Sequence, residues 1–367
     1  MYNILWAEVV DAFLLLDYAD QISTTKVNVV KRKFTVAAEH AKQVRTWTEK
    51  LLMLAYGPAK MRKRAKVLIN PHAGPGGAPR LWNVEAKPIF EAARMTLDVT
   101  ETKYAGEAVE IAQALDIDAF DTVVACSGDG LPHEIFNGLG KRPDARKALS
   151  KVALSHVPCG SGNAMSCNLY GTHRPGLAAL AIVKGVETPM DLVSVTQGDR
   201  RILSFLSQSL GLVAESDLAT EHLRWMGESR FTLGVVQRLF QKKVYPCDLA
   251  VKVEIDHKDG VKEHYRNEMS TTSLPGLNGS GTENSLGEDQ TGSSEHEGEG
   301  LPPLKYGSIN DALPDGWELV PHDKMGTFYC GNVSTRKHPS PLISFPHISC
   351  LAFASSSLRR ANFRISL

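Results

Sequence analysis

The sequence predicts an α/β unit built on a parallel sheet, followed by a unit rich in antiparallel strands. Between residues 66 and 196, three short β-branched segments each end at a glycine-rich loop that leads into a helix-like segment. After about residue 190, strand-like segments are instead joined by a short "QGDR" turn. Strands that alternate with helices are typical of parallel sheets, whereas short turns join antiparallel strands.

The composition is that of an ordinary globular protein and argues against several classes. The chain has 367 residues, of which 43% are hydrophobic and 22% are charged, so it can bury sizeable cores. Lys plus Arg equals Asp plus Glu at 41 each, so no net charge favours binding to nucleic acid. Six cysteines without a CxxC pair are typical of buried thiols in an intracellular protein.

The apolar runs of the sequence are too short to cross a bilayer. The longest are "AFLLL" at 12–16 and "LLMLAY" at 51–56, and the N-terminus lacks the features of a secretory leader. We therefore expect a cytoplasmic protein whose contact with intracellular membranes is peripheral.

Residues 1–61 are predicted to form an N-terminal extension that contains one packing helix. The stretch "AAEHAKQVRTWTEKLLMLAYG" has helical spacing, and four of its apolar residues fall on one stripe that we expect to be buried: Ala41, Val44, Trp47 and Leu51. A basic cluster follows, "KMRKRAK" at 60–66. Such a cluster is typical of a solvated linker, and the alternative is contact with acidic lipid head groups.

Three segments are predicted to be the parallel strands of the α/β unit: "KVLIN", "FDTVVAC" and "VALSHVP". They are followed by the loops "PHAGPGGA", "SGDG" and "CGSGNA", each of which leads into a helix. Because the carboxyl ends of parallel strands meet at one edge of a sheet, ligands are expected at these loops.

The first and third loops have the composition of phosphate-binding turns. Gly74, Gly76 and Gly77 would let backbone N–H groups approach a ligand without obstruction by a Cβ atom. Gly160, Ser161 and Gly162 open a helix whose N-terminus would favour a phosphate. Alone, each loop is explained as well by a structural turn or by a serine-capped helix start. Neither matches the Walker or GxGxxG pattern.

The second loop carries an acid between two glycines. Asp129 could accept the proton of an attacking hydroxyl or organise a magnesium ion. Glu134 lies in the first turn of the next helix, where the positive helix end stabilises a carboxylate. A surface turn would explain "SGDG" in isolation, but three phosphate-suited loops after three successive strands favour a site. No GxSxG hydrolase motif competes with this interpretation.

The second half of the chain is predicted to be mostly β. Two helical segments, "DLATEHLRWMG" and "RFTLGVVQRLFQKK", precede a strand at "CDLAVKVEID". Residues 271–303 are poor in large apolar groups and rich in Gly, Ser and Glu, which predicts a disordered insertion. The segment "GTFYCGN" at 326–332 resumes the domain, and residues 334–367 form an atypical tail without clear periodicity.

Taken in order, "NPHAGPGGA", "SGDGLPHEIFNGL" and "VPCGSGNAMSCNLYG" resemble the lipid kinases that share the diacylglycerol kinase catalytic domain. "SGDGL" and the segment "ESDLATEHLRWMGESRFTLG" resemble the sphingosine (long-chain base) kinases among them. The resemblance implies a Rossmann-like nucleotide domain at 62–189 and a lipid-binding antiparallel β-sandwich domain at 190–333. It also implies transfer of the γ-phosphoryl group of Mg-ATP to the primary hydroxyl of a sphingoid base, in a cleft between the two domains.

The resemblance also implies a role for individual residues. Asp129 would be the catalytic base, and the lipid would contact Ser127, Gly128, Asp129, Gly130 and Asp217, the last of which would receive the sphingoid amine. The nucleotide would contact a larger set: Asn70, Pro71, His72, Thr102, Lys103, Tyr104, Ala105, Gly106, Glu134, Gly160, Ser161, Gly162, Arg224 and Arg230. ATP and Mg²⁺ are the implied cofactors, and no residue is assigned to the metal. The implied partners are the lipid substrate, a membrane surface and, as a possibility, a second copy of the chain.

The residues at 215–230 agree with this role. Asp217 is placed to cap a helix, with Glu221 and Arg224 following on one helical face. A fixed carboxylate there would select an ammonium head group, and arginine forks match phosphate oxygens. The alternative is an exposed helix with ordinary charge pairs.

Two departures from the family pattern qualify the expectation. Glu107 stands where the family has a histidine, and no acidic "DG" segment follows Asn332. We therefore expect a poorly stable or weakly active chain, because missing strands would expose sheet edges. The alternatives are a diacylglycerol or ceramide kinase of the same fold, and an inactive family member that acts as a binding module. A nicotinamide oxidoreductase is disfavoured because the dinucleotide motif is missing.

Overall fold

The α/β unit is built on a four-stranded parallel sheet with strand order β5-β4-β6-β7. The computed structural model describes residues 1–226, 229–241, 243–271, 299–304, 308, 310–331 and 360–366. The strands of this sheet are β4 Arg64–Ile69, β5 Thr96–Glu101, β6 Thr122–Ser127 and β7 Ala153–Pro158. Three of them confirm the predicted strands. The edge strand β5 was not predicted because its sequence, TLDVTE, is largely polar and mostly exposed.

Helices cover both faces of this sheet. They are α2 Ala78–Leu81, α3 Lys87–Ala92, α4 Glu107–Gln113, α5 Gly130–Gly140, α6 Ala145–Lys151, α7 Ala164–Tyr170 and α8 Pro175–Lys184, with a π-helical turn at Trp82–Ala86 between α2 and α3. Successive residues of β4 point to opposite faces, so Val67 joins one core cluster with Phe90 while Leu68 joins another with Ile135. The sheet is therefore buried on both sides, as parallel sheets usually are.

A three-stranded antiparallel sheet at the N-terminus was not predicted from the sequence. Its strands are β1 Ile4–Val10, β2 Phe13–Ser23 and β3 Lys26–Thr35, in that order across the sheet. Leu5, Trp6 and Val27 lie in the same core cluster as Phe90, so this sheet packs on the α/β unit. The predicted N-terminal extension is thus folded onto the core.

The predicted helix of this region is confirmed as α1, Ala41–Tyr56, but its predicted buried stripe is wrong. Trp47 is 51% exposed, and the buried residues are Thr48, Leu52, Ala55 and Tyr56. The helix packs against β1, where the Tyr56 hydroxyl donates a hydrogen bond to the Leu5 carbonyl at 2.6 Å. This contact turns the helix about one position away from the predicted face, and no local pattern encodes it.

The basic cluster at 60–66 is bound within the fold. Lys60 and Arg64 both pair with Asp121, at 2.9 and 2.8 Å. Lys66 pairs with an aspartate on β5, and Lys63 donates to three backbone carbonyls at the end of α8. Burial opposes ionisation of Asp121, but hydrogen bonds from Arg64 and Lys60 hold the pKa of that carboxyl well below its usual range. These cations are therefore structural, which disfavours both the linker and the lipid-contact interpretations.

The second half of the chain is antiparallel, as predicted. β8 Val193–Gln197 and β9 Arg200–Ser204 form a hairpin, β10 Ser207–Gly211 pairs with β13 Thr327–Gly331, and β11 Cys247–Ile255 lies between β12 Glu318–His322 and β14 Arg360–Ser366. Leu249 of β11 and Phe328 of β13 share one core cluster, so these two sheets pack on each other. The fold class predicted from the sequence is confirmed.

The helices of this half are α9 Leu212–Ala219, α10 Ser229–Gln241 and α11 Lys258–Thr271, with a 3₁₀ helix at Glu221–Met226. The predicted insertion at 271–303 lies outside the described residues except at Thr271, which ends α11, and at 299–303. Within the predicted tail, residues 360–366 form β14 and pair along β11. The sequence showed no periodicity that would have predicted this strand.

Candidate active site

The three predicted loops meet at the carboxyl ends of β4, β6 and β7. The Asn70 N–H donates to the Cys126 carbonyl at 3.1 Å, which ties the first loop to β6. The Cys159 N–H donates to the Ser127 carbonyl at 2.8 Å, and the Asp129 N–H donates to the Gly162 carbonyl at 3.1 Å. The backbone thus holds the second and third loops together around Asp129, where the sequence placed the site.

Two glycines of this site are required by the contact between loops. A Cβ atom on Gly160 would lie 2.3 Å from the Gly128 Cα, and a Cβ atom on Gly128 would lie 2.7 Å from the Gly162 carbonyl oxygen. Gly74 has a φ of +55°, and its Cβ atom would lie 3.1 Å from the Cys159 carbonyl oxygen. These glycines were predicted to allow the approach of a ligand, but in the structure they let one loop pack on another.

Gly130 differs from the other glycine that flanks Asp129. A Cβ atom on Gly130 would have no neighbour within 4 Å. The open space beside Asp129 therefore lies on the Gly130 side of the loop, and Gly130 is itself exposed. Of the predicted lipid-contact glycines, this one has the room that a ligand would need.

Asp129 is held by the helix that follows the third loop. Its Oδ2 accepts a hydrogen bond from the Ala164 N–H at 2.8 Å, and its Oδ1 accepts one from the Met165 N–H at 2.9 Å. These amides open α7, so Asp129 caps a helix that begins 35 residues later. This helix start was predicted to favour a phosphate. In the structure its first amides bind Asp129, which fixes the orientation of the carboxylate.

A buried histidine that the sequence analysis missed lies beneath the second loop. His156 is 0% exposed on β7, and its Nε2 donates to the Ser127 carbonyl at 2.9 Å. A carbonyl can only accept, so the proton resides on Nε2. Burial lowers the pKa of His156, although the charge of Asp129 and the hydrogen bond to Ser127 oppose this shift. Its Nδ1 has no hydrogen-bond partner among the described residues. The sequence signal was a lone histidine inside the apolar run "VALSHVP".

Glu134 anchors the loop between β5 and α4. The Gly106 N–H donates to its Oε2 at 3.1 Å. Burial raises the pKa of Glu134, while hydrogen bonds from the Gly106 and Ala108 amides oppose the rise. Thr102 is buried and donates its N–H to the Ile69 carbonyl at 2.8 Å. The predicted nucleotide residues at 102–106 and Glu134 are therefore brought together, with Lys103, Tyr104 and Ala105 exposed.

Glu107 faces its own loop. Its carboxylate accepts the Lys103 N–H, and Tyr104 donates to Glu110 at 2.7 Å. A carboxylate that faced nucleotide phosphates at this position would repel them. Glu107, which stands where the family has a histidine, is therefore bound to the backbone of its own loop.

The first loop is shaped by Asn70. Its side-chain oxygen accepts the His72 N–H at 2.9 Å, and its carbonyl accepts the Ala73 N–H at 3.0 Å. This arrangement is an Asx turn, which directs the chain away from β4. Pro71 and the exposed His72 form the turn, so a nucleotide that met the prediction would contact them at the surface of this loop.

A cavity of about 540 Å³ adjoins the third loop but does not reach Asp129. Gly160 and Ser161 line it together with Lys26 at the start of β3 and Arg174 at the start of α8. Asp129, Glu134 and Thr102 do not line it. The acidic residues predicted for the site therefore lie beside this cavity and outside its lining.

Asp217 and Arg230 form a pair of their own. The Arg230 Nη2 donates to the Asp217 Oδ1 at 2.7 Å, and its Nη1 donates to the Asp217 carbonyl at 3.1 Å. The Arg230 side chain is 9% exposed, whereas the Asp217 side chain is 56% exposed. The sequence assigned one residue to the lipid amine and the other to phosphate. The structure joins them across α9 and α10.

The predicted helical face of this segment is wrong. Asp217 lies inside α9 and not at its N-cap, since α9 begins at Leu212 and ends at Ala219. Glu221 begins a separate 3₁₀ helix that is kinked at Leu223, so it does not continue the α9 face. The side chain of Arg224 lies outside the described residues.

Helix α5 links the acidic loop to the second half of the chain. It begins directly after Asp129. The Asn137 side chain exchanges two hydrogen bonds with the Leu203 backbone on β9, both at 2.9 Å, and Phe136 packs on Phe205 with ring centroids 5.6 Å apart. Asp129 is thus coupled to the β8–β9 hairpin through one helix.

Comparison with known proteins agrees with this arrangement. Residues 64–195 match the diacylglycerol kinase catalytic domain, and residues 1–57 match a domain of unknown function. The chain is 43% identical over 242 residues to sphingoid long chain base kinase 5 of Saccharomyces cerevisiae, covering 65% of this chain and 35% of that protein. It is 40% identical over 217 residues to sphingoid long chain base kinase 4 of Schizosaccharomyces pombe, covering 59% and 47%. These matches confirm the predicted resemblance to sphingosine kinases.

More distant relatives cover similar parts of the chain. Sphingosine kinase 1 of Arabidopsis thaliana is 36% identical over 189 residues, which is 50% of this chain and 38% of that protein. A putative diacylglycerol kinase of Bacillus anthracis, known as a crystal structure, is 22% identical with a TM-score of 0.42, covering 54% of this chain and 62% of that one. The chain spans less than half the length of the curated relatives named here. Among the described residues, no helix has both the length and the apolar character needed to cross a membrane.

Proposed function

Residues 64–195 belong to the diacylglycerol kinase catalytic domain family, and the chain is related to sphingoid base kinases. We therefore propose that this protein phosphorylates sphingoid bases. The γ-phosphoryl group of ATP would be transferred to the primary hydroxyl of the lipid. Sphingosine, dihydrosphingosine and phytosphingosine are all candidate acceptors.

The observation that carries this proposal is the position of Asp129 at the junction of the loops. Both carboxylate oxygens are fixed by amides of α7, and its own N–H is bound to the third loop. Phosphoryl transfer needs little covalent chemistry from the protein, so catalysis depends on positioning and on charge stabilisation. A carboxylate held at two points is suited to orient an attacking hydroxyl.

In this mechanism Asp129 accepts the hydroxyl proton as the lipid oxygen forms its bond to the γ-phosphorus and the bond to ADP breaks. The free lone pairs of its oxygens would take the hydrogen bond from the substrate, because each oxygen already accepts one amide. The exposed side of Gly130 leaves room for the head group. Backbone N–H groups of the loops would stabilise phosphate charge.

Magnesium fits the site only as a nucleotide-bound ion. In the described part of the chain, no group of three or more His, Cys, Asp or Glu side chains could hold a metal. Mg²⁺ commonly keeps several waters and is bound through phosphates and one or two carboxylates. Asp129 is the carboxylate at the loop junction, and the ion would supply neutralisation of phosphate charge there.

Selection of a sphingoid base would rest on Asp217. Its Oδ1 accepts a hydrogen bond from Arg230, while its side chain stays 56% exposed, so the carboxylate remains open to an ammonium group. Diacylglycerol and ceramide carry no such cation. The pairing supports a role in which Arg230 orients Asp217, in addition to the predicted phosphate contact.

Peripheral membrane contact is part of the proposal. Leu233, Val236 and Phe240 of α10 are 48%, 46% and 83% exposed, and their spacing places them on one face of the helix. An exposed apolar face on a helix is suited to the boundary between head groups and acyl chains. This helix also carries Arg230, so the face lies on the same element as the proposed head-group site.

The proposal is tested by incubating the purified chain with labelled ATP and sphingosine, dihydrosphingosine, phytosphingosine, diacylglycerol or ceramide. We expect label in the sphingoid bases and a loss on the order of 1,000-fold in Asp129→Asn, since general-base catalysis and positioning are both removed. Asp217→Asn should retain the transfer chemistry but bind sphingosine less tightly. Labelling of diacylglycerol or ceramide in preference to sphingosine would refute the substrate assignment, and full activity of Asp129→Asn would refute the mechanism.

A further inference from the structure

The N-terminal sheet ends in a basic edge, which we define as Lys31, Arg32, Lys33 and Phe34 of β3. All four residues are exposed, and Phe34 is 50% exposed. Within the described part of the chain, β3 pairs with β2 alone, so its other edge has no strand partner. Edge strands of soluble proteins often carry charges, which hinder pairing with the strand of another protein.

The two halves of β3 have different surroundings. Val27 at its start is buried in the main core cluster, and its carbonyl lies near Gly176 of α8. From Lys31 to Thr35 every residue is exposed. The strand is therefore anchored at one end, and its other end offers its side chains to a partner.

The cations of the basic edge contrast with those at 60–66. The latter are bound to carboxylates or carbonyls or, in the case of Arg62, lie over the Trp6 ring at 4.4 Å. Lys31 and Arg32, by contrast, form no ion pair with any described residue. The Lys33 ammonium lies 3.6 Å from the centre of the Phe13 ring, so its contact is with an aromatic ring and not with a carboxylate. Residues 1–35 contain four Lys or Arg and four Asp or Glu, and three of the cations are consecutive on β3. Asp17 lies opposite Lys31 on β2 but is paired with Arg94, so among the described residues no carboxylate forms an ion pair with the cations of this edge.

We propose that residues 1–57, which match a domain of unknown function, dock the protein on an anionic phospholipid bilayer through the basic edge. Unpaired lysine and arginine side chains are attracted to the negative potential of acidic lipids, and an adjacent exposed phenylalanine can enter the boundary between head groups and acyl chains. A nucleic acid would match the cations but would give Phe34 no comparable environment in duplex form. The inference goes beyond the proposed phosphoryl transfer, since it concerns a separate part of the chain.

The test uses sedimentation of the full chain with vesicles of phosphatidylcholine, alone or mixed with phosphatidylserine. The parent should sediment with the mixed vesicles and lose this affinity at high salt. The triple variant Lys31→Gln, Arg32→Gln, Lys33→Gln should bind on the order of 100-fold more weakly, because each cation near the surface contributes severalfold. Phe34→Ala should weaken binding about 10-fold without changing the salt dependence.

A matched control removes the same charge from α1. Lys42→Gln, Arg45→Gln, Lys50→Gln changes three exposed cations of the same unit and should retain parental binding. All substituted side chains are exposed, so thermal melts should coincide with the parent. Equal losses in the two triple variants would overturn the proposal, as would failure of the parent to bind mixed vesicles. Tighter binding of the parent to duplex nucleic acid than to the vesicles would overturn it too.

Kinase activity separates this proposal from the proposed function. With sphingosine in detergent micelles, the basic-edge variant should phosphorylate as the parent does, while with sphingosine in mixed vesicles its rate should fall. Asp129→Asn should do the reverse, with vesicle binding intact and activity lost in both presentations. Loss of micellar activity in the basic-edge variant would place the edge in the active site and refute a docking role.

Discussion

Gly160→Ala is the substitution that most directly tests the packing of the loops. The added Cβ atom would lie 2.3 Å from the Gly128 Cα and 2.4 Å from the Gly128 N. Both are backbone atoms, so no side-chain rotation can relieve the overlap. The third loop must move away from the second, and the hydrogen bond from Asp129 to Gly162 is the first contact that this movement would stretch.

The size of the effect follows from these distances. Carbon atoms pack at about 3.5 Å or more, so the two loops must separate by roughly 1 Å. Forcing an extra methyl into a packed site costs about 1–3 kcal/mol of the free energy of unfolding. A misplacement of about 1 Å at a catalytic group costs on the order of 100-fold in rate. We therefore expect a protein that still folds, with kcat lowered about 100-fold.

The assay measures urea unfolding of Gly160→Ala and of a control, Gly130→Ala, and sphingosine phosphorylation by Gly160→Ala alone, because Gly130 borders the proposed head-group site. The control lies directly after Asp129, but its Cβ atom meets nothing within 4 Å. Its free energy of unfolding should stay within about 0.5 kcal/mol of the parent. If Gly160→Ala unfolds and turns over like the parent, the two loops do not pack as described and the assignment of these glycines fails.

Three further predictions concern the supports of the site. His156→Leu is close to histidine in volume but removes the donor to Ser127, so kcat should fall about 10-fold with KM unchanged, and a rise in KM with kcat unchanged would refute a positioning role. Burial lowers the pKa of Lys63 to about 8 from 10.5, so the unfolded chain binds more protons between these values. The parent should therefore gain up to about 3 kcal/mol relative to Lys63→Met as pH rises through this window, and urea unfolding at a pH series that shows no such gain would contradict it. Asp217→Asn should cost about 1 kcal/mol in urea unfolding, because the largely exposed carboxylate loses its charge while the amide oxygen can still accept a hydrogen bond from Arg230, and a cost above about 3 kcal/mol would contradict this.

Local sequence signals predicted the elements that make the site. The strands β4, β6 and β7 are short apolar runs closed by glycine, and these are signals that a few residues carry. The β8–β9 hairpin was predicted in the same way from its "QGDR" turn. Parallel strands then bring their carboxyl ends to one edge, so the neighbourhood of the loops followed from strand order alone.

Contacts between distant segments could not be predicted in this way. Trp47 was expected to be buried and is exposed, because the face that α1 presents is decided by its contact with β1. Asp217 was expected to cap a helix, but α9 begins five residues earlier, after a turn at Gly211. The basic cluster at 60–66 was predicted to be a linker, because its carboxylate partners lie in other parts of the chain.

The sequence by itself determined that a carboxylate, Asp129, follows a buried strand between two glycines and that two further glycine loops follow neighbouring strands. Only the tertiary structure decided what these glycines and this carboxylate contact. Gly128 and Gly160 are 32 positions apart and leave no room for a Cβ atom between them, and Asp129 binds amides of α7 at a similar distance along the chain. Such contacts depend on how loops pack in space, where backbone atoms that are remote in sequence compete for the same volume.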